Sequence, residues 1–368
     1  MNTSLFVCWF LWTAAVWAAL QLIDGRIIKS ERPSVLLAVS ALRFLAASAI
    51  AYLIMAVNNS FSWNCGYPLG ALYIALMAAA AADTLRCVIK ILFRSGMGKR
   101  SVFVLRCVLT AALLAWGTLN MQNVSPVTHT YISEKIGQEH IFVFIADLHY
   151  GSVQTKETVE DALEDIRELG VDFIVLGGDI TDEFTSYDEM VEIWRMLRES
   201  GIPTYYVYGN HDRQENAYLR GGASFSPKEL EETILSAGIT VLRDEWVYAL
   251  EDVVLVGRED VSSEERLPLE ELPPRPEDAC VIWIDHTPYQ EEEIASSGAD
   301  LQLSGHSHAG QLFPLRTLYR LGVRYIWGDY DTRGAHVYVT SGFGGWYIPF
   351  RTEKTCCYDV ITLKPSQP

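Results

Sequence analysis

Four long apolar runs fill the first third of the chain, and short apolar runs separated by amphipathic stretches fill the rest. The long runs are Leu5 to Ile23, Val35 to Val57, Pro68 to Phe93 and Val102 to Leu119. Each is close to the roughly 20 residues a helix needs to cross the hydrocarbon core of a bilayer. The third run is interrupted by Asp83, Arg86 and Lys90. It reads as a tilted span whose last turns reach the interface, with Arg86 and Lys90 snorkelling. The first run has no basic residue ahead of it and no clean small-x-small site at its end, which favours a retained helix over a cleaved signal. Residues 1–119 are therefore expected to be an all-helical membrane domain with four transmembrane helices. Arg43, Asp83 and Arg106 fall at membrane depth, where isolated charge is costly, so a structural Arg–Asp pairing is expected.

Residues 120–140 carry Asn, Ser, Pro, Thr and Gly and read as a polar linker. From Ile141 the period changes. The runs Ile141–Ala146, Phe173–Leu176, Thr204–Tyr208, Val253–Val256, Cys280–Ile284, Leu301–Leu303 and His336–Val339 are short and mostly rich in β-branched and aromatic residues, as strands are. Between them, Thr158 to Leu169 and Tyr187 to Leu197 place their apolar residues on one helical face. Ser226, Pro227 and Glu229 have the spacing of a helix start. The stretch Arg258 to Asp278, with many Glu and four Pro, reads as a solvated acidic loop. This alternation predicts an α/β domain over 141–368.

Charge divides at the same boundary. Residues 1–119 hold 10 Lys/Arg against 3 Asp/Glu, a net of +7, and the remainder holds 19 against 43, a net of −24. So acidic a body lacks the positive footprint that a nucleic-acid backbone demands. Arg26, Lys29 and Arg32 lie between the first two runs, and Arg94, Lys99 and Arg100 between the last two, while 58–67 carries no charge. The positive-inside rule puts the two basic segments in the cytoplasm and the acidic body outside it, as in a bacterial inner membrane. The seven Cys show no paired spacing typical of metal sites or of a disulfide framework.

Most of the chemistry follows the short runs. Asp147-Leu-His149 comes after the first, and Gly177-Gly-Asp179 with Asp182 after the second. Gly209-Asn210-His211-Asp212, Asp285-His286 and Ser304-Gly-His306-Ser-His308 follow three others. Five of the eight His lie in this set. In α/β folds ligands gather outside the carboxyl ends of strands. Taken singly, an Asp-x-His is a common accident and a lone His286 is more often a core residue. Five such segments in order, each after a strand, are not. Alternate residues of an extended segment point the same way, so Asp147 with His149, and His306 with His308, can each address one ion. A mixed Asp, His and Asn donor set suits Mn, Fe, Zn or Co better than Ca or Mg.

The series Asp147-x-His149, Gly178-Asp179, Gly209-Asn210-His211-Asp212, His286 and Gly305-His306-x-His308 resembles the calcineurin-like metallophosphoesterase superfamily. The likeness covers about 141–363 and is nearest to the membrane-associated, YkuE-type branch, through the segments at 305–311 and 342–345. It implies two facing mixed β-sheets flanked by helices, a four-layer sandwich, with two divalent ions at the strand ends, Mn or Fe first and Zn or Co as alternatives. It also implies that Asp147, His149, Asp179 and His308 hold one ion and that Asp179, Asn210, His286 and His306 hold the other. His211 would contact the phosphate or protonate the leaving oxygen, with Asp212 orienting it.

The expected activity is hydrolysis of a phosphomonoester or phosphodiester by a metal-activated water. Bulky apolar runs at 311–327 and 346–350, beside Arg351, suggest a greasy mouth and a lipid-like substrate held at the bilayer. The alternatives are a UDP-2,3-diacylglucosamine pyrophosphatase of lipid A biosynthesis, which needs a cytoplasmic catalytic body, and a non-catalytic membrane scaffold.

Overall fold

The computed structural model describes residues 15–17, 19–20, 32–56, 66–215, 217, 222–288, 291–332 and 335–366. The first expected span, Leu5 to Ile23, lies outside the described residues apart from 15–17 and 19–20, which are helical. The segments at 24–31 and 58–65 lie outside them too. The chain divides into two compact units: Met1–Asn120 with Leu312–Leu315 and Phe350–Thr352, and the remainder.

In the first unit the other three apolar runs are helices, α1 (Pro33–Ala56), α2 (Gly66–Phe93) and α3 (Lys99–Gln122). All three are long and apolar enough to cross a membrane. The side of α2 that meets α1 carries Ala80, Asp83, Thr84 and Cys87, and Ala75, Ala78, Ala79 and Ala82 on the same helix are also buried, small residues that allow close packing where lipid offers no hydrophobic drive. Ser40 donates to the Ala80 carbonyl at 2.8 Å. Asp83 is fully buried and accepts from Arg43, from Arg106 at 3.1 Å and from Arg86 at 3.1 Å. The Arg–Asp pairing therefore exists, and Arg86 joins it rather than snorkelling. On α2, the Tyr73 hydroxyl donates to the Phe313 carbonyl at 2.8 Å. On α3, the Gly117 carbonyl accepts from Arg351 N–H at 3.0 Å, and Gly117 lies so close to the Phe350 ring that a Cβ would fall 2.2 Å from it.

The second unit holds two six-stranded mixed sheets. The first has order β1 (Val124–Ser133), β12 (Cys356–Pro365), β2 (His140–Ile145), β3 (Phe173–Leu176), β4 (Thr204–Tyr206), β5 (Thr240–Val241). Strand β12 runs parallel to β1 and antiparallel to β2, and β2 to β5 are parallel. The second has order β10 (Gly328–Asp331), β11 (His336–Val339), β9 (Leu301–Ser304), β8 (Cys280–Ile284), β7 (Val253–Gly257), β6 (Glu245–Leu250). Its four inner strands are parallel and its two edges antiparallel.

The apolar runs alternate between two cores although they look continuous, because successive side chains of a strand point to opposite faces. Phe142, Phe144, Phe173 and Val175 pack against Leu255, Ile282, Ile284 and Leu303 between the sheets. Val143, Ile145, Ile174 and Leu176 face the other way, onto α4 (Lys156–Leu169), α5 (Tyr187–Ser200) and α6 (Pro227–Ser236). Beyond the second sheet, Val254, Val256, Trp283 and Val339 pack with Ile294, from α7 (Glu291–Ser296), and with Tyr325. A short helix, α8 (Leu315–Tyr319), completes the elements used below. Capping boxes start α5 at Ser186–Glu189 and α6 at Ser226–Glu229.

Two sequence expectations change. The linker 120–140 contains the ten-residue strand β1. It was hidden because Pro126, Thr128, His129 and Thr130 dilute its apolar residues, and because a Pro is tolerated on an edge strand. The loop from Arg258 is not solvated at its start: Arg258, Glu259 and Asp260 are each 1% exposed.

Candidate metal centre

Strands of both sheets deliver the candidate ligands at their carboxyl ends. Asp147 and His149 follow β2, Asp179 follows β3 and Asn210 follows β4, while His286 follows β8 and His306 and His308 follow β9. The side chains form two groups, Asp147 with His149 and His308, and Asp179 with His286 and His306. Within each group the ligand atoms lie within 4.8 Å of one another. Asp179 faces both: its Oδ2 is 3.0 Å from His286 Nε2 and 3.9 Å from His149 Nε2. Asn210 Oδ1 is 2.8 Å from His306 Nδ1, which brings it to the second group.

The backbone is bent hard to achieve this. Asp147, His149, Asp179, His306 and His308 all have φ between 47° and 72°, a region that residues with a Cβ seldom enter. Such conformations persist only where the surroundings enforce them. Backbone N–H groups do so here: Asp147 N donates to Gly178 O at 3.0 Å and His149 N to Asp179 O at 3.1 Å. His306 N donates to the Asp147 carboxylate at 2.9 Å, tying the two sheets together. Glycine is needed where backbone meets ligand; a Cβ on Gly209 would sit 2.3 Å from Asp179 Oδ1.

Hydrogen bonds leave the ligand atoms aimed inward. His149 Nδ1 pairs with Asp182 at 3.2 Å, and its fully buried Nε2 has no hydrogen-bond partner. His286 Nδ1 pairs with the Gly177 carbonyl at 2.8 Å, leaving Nε2 toward Asp179. A buried, orphaned imidazole nitrogen whose other nitrogen is held by a carboxylate is the arrangement a metal-ligating His requires. The residues present fit a pair of divalent cations. Burial opposes charge on Asp179, yet the imidazoles of His286 and His211 hold its carboxyl well below the usual range. Burial and the charge of His286 push His306 down to about 4, so it is a neutral donor.

His211 lies beside the groups. Its Nδ1 is 2.9 Å from both oxygens of Glu183, and its ring stacks on Trp346 at 4.9 Å between centroids. Burial disfavours its charged form, but Glu183 and then Asp179 outweigh that and raise it to about 10. Asp212 does not orient His211 as expected. Its carboxylate accepts from the backbone N–H of Asp179 at 2.8 Å, Ile180 at 2.9 Å, Thr181 at 3.0 Å and Gly209 at 2.7 Å. It is a positioning residue for the Asp179 turn, and Glu183 is the carboxylate on His211. Asp182 was visible as a polar residue beyond a strand; Glu183 and Trp346 carried no such signal.

Most of the expected greasy mouth is core. Leu312, Leu315, Tyr325, Ile326, Ile348 and Phe350 are at most 1% exposed, whereas Phe313, Leu318 and Leu321 remain at the surface.

Residues 141–310 match the family model described as calcineurin-like phosphoesterase. An uncharacterised metallophosphoesterase of Helicobacter pylori is 32% identical over 59% of this chain and 58% of its own length. The phosphodiesterase YaeI of Escherichia coli is 32% identical over 56% of this chain and 75% of its own. A transmembrane protein with metallophosphoesterase domain from Danio rerio is 27% identical over 71% of this chain and 62% of its own. The chain thus spans little more than half the length of the first of these relatives.

Proposed function

Because the chain belongs to the calcineurin-like phosphoesterase family, we propose that it is a membrane-anchored, two-metal hydrolase of phosphomonoesters or phosphodiesters. Asp147, His149, Asp179 and His308 would hold one divalent ion, and Asp179, Asn210, His286 and His306 the other. The observation that carries this reading is Asp179, whose Oδ2 addresses an imidazole of each group. When bound, two such ions lower the pKa of a water and neutralise charge on the phosphoryl oxygens.

The chain's own residues do the rest. Glu183 holds Nδ1 of His211, so Nε2 is the nitrogen left to donate a proton to the departing oxygen. Trp346 stacks on that ring and fixes its plane. Asp212 keeps Asp179 in its left-handed conformation through four backbone N–H groups. Fixed donors of this kind need no reorganisation during the reaction.

A lipid-like phosphate ester is the substrate class this reading favours, and its support is the membrane-spanning unit rather than an apolar mouth. The proposed orientation, with the phosphoesterase domain outside the cytoplasm of a bacterial inner membrane, is supported by the basic residues Arg94, just after α2, and Lys99 and Arg100 in the first turn of α3, through the positive-inside rule. Detergent-purified protein with added Mn tests the reading against p-nitrophenyl phosphate, bis-p-nitrophenyl phosphate, phospholipids and UDP-diacylglucosamine. Metal-dependent release of product from esters or phospholipids is expected. Turnover of the UDP lipid alone would replace this reading with the cytoplasmic pyrophosphatase. Two bound metals without any turnover would leave the scaffold.

A further inference from the structure

We infer that the loop 258–267, buried at its start, is a brace for one of the two metal positions, the one built on Asn210 and His286, and not for the other. This rests on the two-metal reading above. The loop follows β7 and carries Arg258, Glu259, Asp260 and Arg266, side chains with no place in the chemistry. It grips His286 from both sides. Arg266 meets the Asp285 carboxylate with two parallel hydrogen bonds, 3.1 and 2.7 Å. The Thr287 hydroxyl donates to Asp260 Oδ2 at 2.9 Å, while Asp260 Oδ1 is held by Ser262 N–H at 2.9 Å and by the Ser262 hydroxyl at 2.6 Å. The backbone adds a third tie, from Arg258 N to the Ile284 carbonyl at 2.9 Å.

The same loop reaches the strand end that bears Asn210. Glu259 takes a bidentate pair from Arg213 at 2.9 and 2.7 Å, and the Arg213 guanidinium lies 3.8 Å over the Tyr208 ring. Tyr208 and Arg213 bracket the Gly-Asn-His-Asp turn. Planar bidentate pairs fix direction as well as distance. The loop is in turn stiffened by charge: Arg266 also binds Glu293 at 2.6 Å and the Glu259 carbonyl, and Arg258 binds Asp244, Glu293 and the Leu267 carbonyl. Among the described residues, the hydrogen bonds and ion pairs of the loop that reach the site end on the neighbours of His286 and Asn210 and not on Asp147, His149 or His308. The brace is therefore one-sided. Arg266, Asp260 and Glu259 are positioning residues that set the affinity of the His286 position, as outer partners of metal ligands do.

The test is Mn binding to the full chain in detergent, with bound metal counted by elemental mass spectrometry and the spin-coupled pair followed by electron paramagnetic resonance. His286→Ala is the reference and is expected to lose one ion of two. Arg266→Met should weaken the same ion about 10- to 100-fold and leave the other unchanged, converting the coupled signal to that of an isolated ion. Arg266→Lys should recover part of the loss. Thr287→Val, which removes one hydroxyl from an otherwise intact site, should give a smaller weakening in the same direction and serves if Arg266→Met fails to fold. Two ions bound with unchanged affinity in Thr287→Val and in folded Arg266→Met would overturn the brace. Two ions retained in His286→Ala would instead overturn the ligand assignment beneath it.

Discussion

At the scale of residues, one carboxylate addresses two imidazoles and a different one controls a third. Replacing Asp179 by Asn should weaken both ions and lower kcat/KM by at least about 100-fold; equilibrium dialysis against Mn checks the first effect and a p-nitrophenyl ester the second. His211→Ala should keep both ions and slow turnover by about 10² to 10⁴. Glu183→Gln should keep them too, with a smaller loss, because the amide still meets Nδ1 but no longer supports the charged ring. If metal falls with His211→Ala, that side chain is a ligand and its role here is wrong. The seven metal candidates were legible because each stands directly beyond an apolar run, where polar residues have no business in a core. Glu183 was not. It adjoins Asp182 in sequence, and which of the two meets which imidazole is decided by a left-handed turn at Asp179 that no spacing reveals.

At the scale of elements, the strands and the helix starts were largely written in local pattern, while their partners were not. Ser186 and Ser226 begin helices by satisfying backbone N–H groups that the helix cannot. Ser186→Ala should cost about 1 kcal/mol of stability, read as a fall in melting temperature, with no change in bound metal. Gly209→Ala should behave in the opposite way. Its Cβ would strike Asp179, so metal is lost before the fold is. Strand β1 escaped notice because half of its residues face solvent and it sits on an edge, paired only with a strand more than 200 residues away. The charged loop escaped for a related reason. Composition counts its acids, but only the fold shows that Glu259 is buried against Arg213 and that the loop's own Arg258 and Arg266 pair with Asp244 and Asp285 outside it.

At the scale of the whole molecule, removal of metal should be felt as instability. The two groups bury several carboxylates and imidazoles together, and cations that bind only the folded state add about 2.7 kcal/mol per site at a hundred times the dissociation constant. Chelation should lower the melting temperature and Mn should restore it; no shift would argue against resident ions. The helical unit should matter as well. It includes 312–315 and 350–352, so a chain starting at Met121 leaves Phe313 and Arg351 without Tyr73 and Gly117, and reduced thermal stability is expected. The position of β12 has a consequence for biosynthesis. It is made after every other strand described, yet it lies between β1 and β2, and both must wait for it. Until β12 is made, β1 has no partner in the first sheet and β2 is left as an edge. The nascent domain then has no way to lock early, since its longest-range pairing forms last. The topology thus makes closure of the first sheet depend on the strand that comes last among those described.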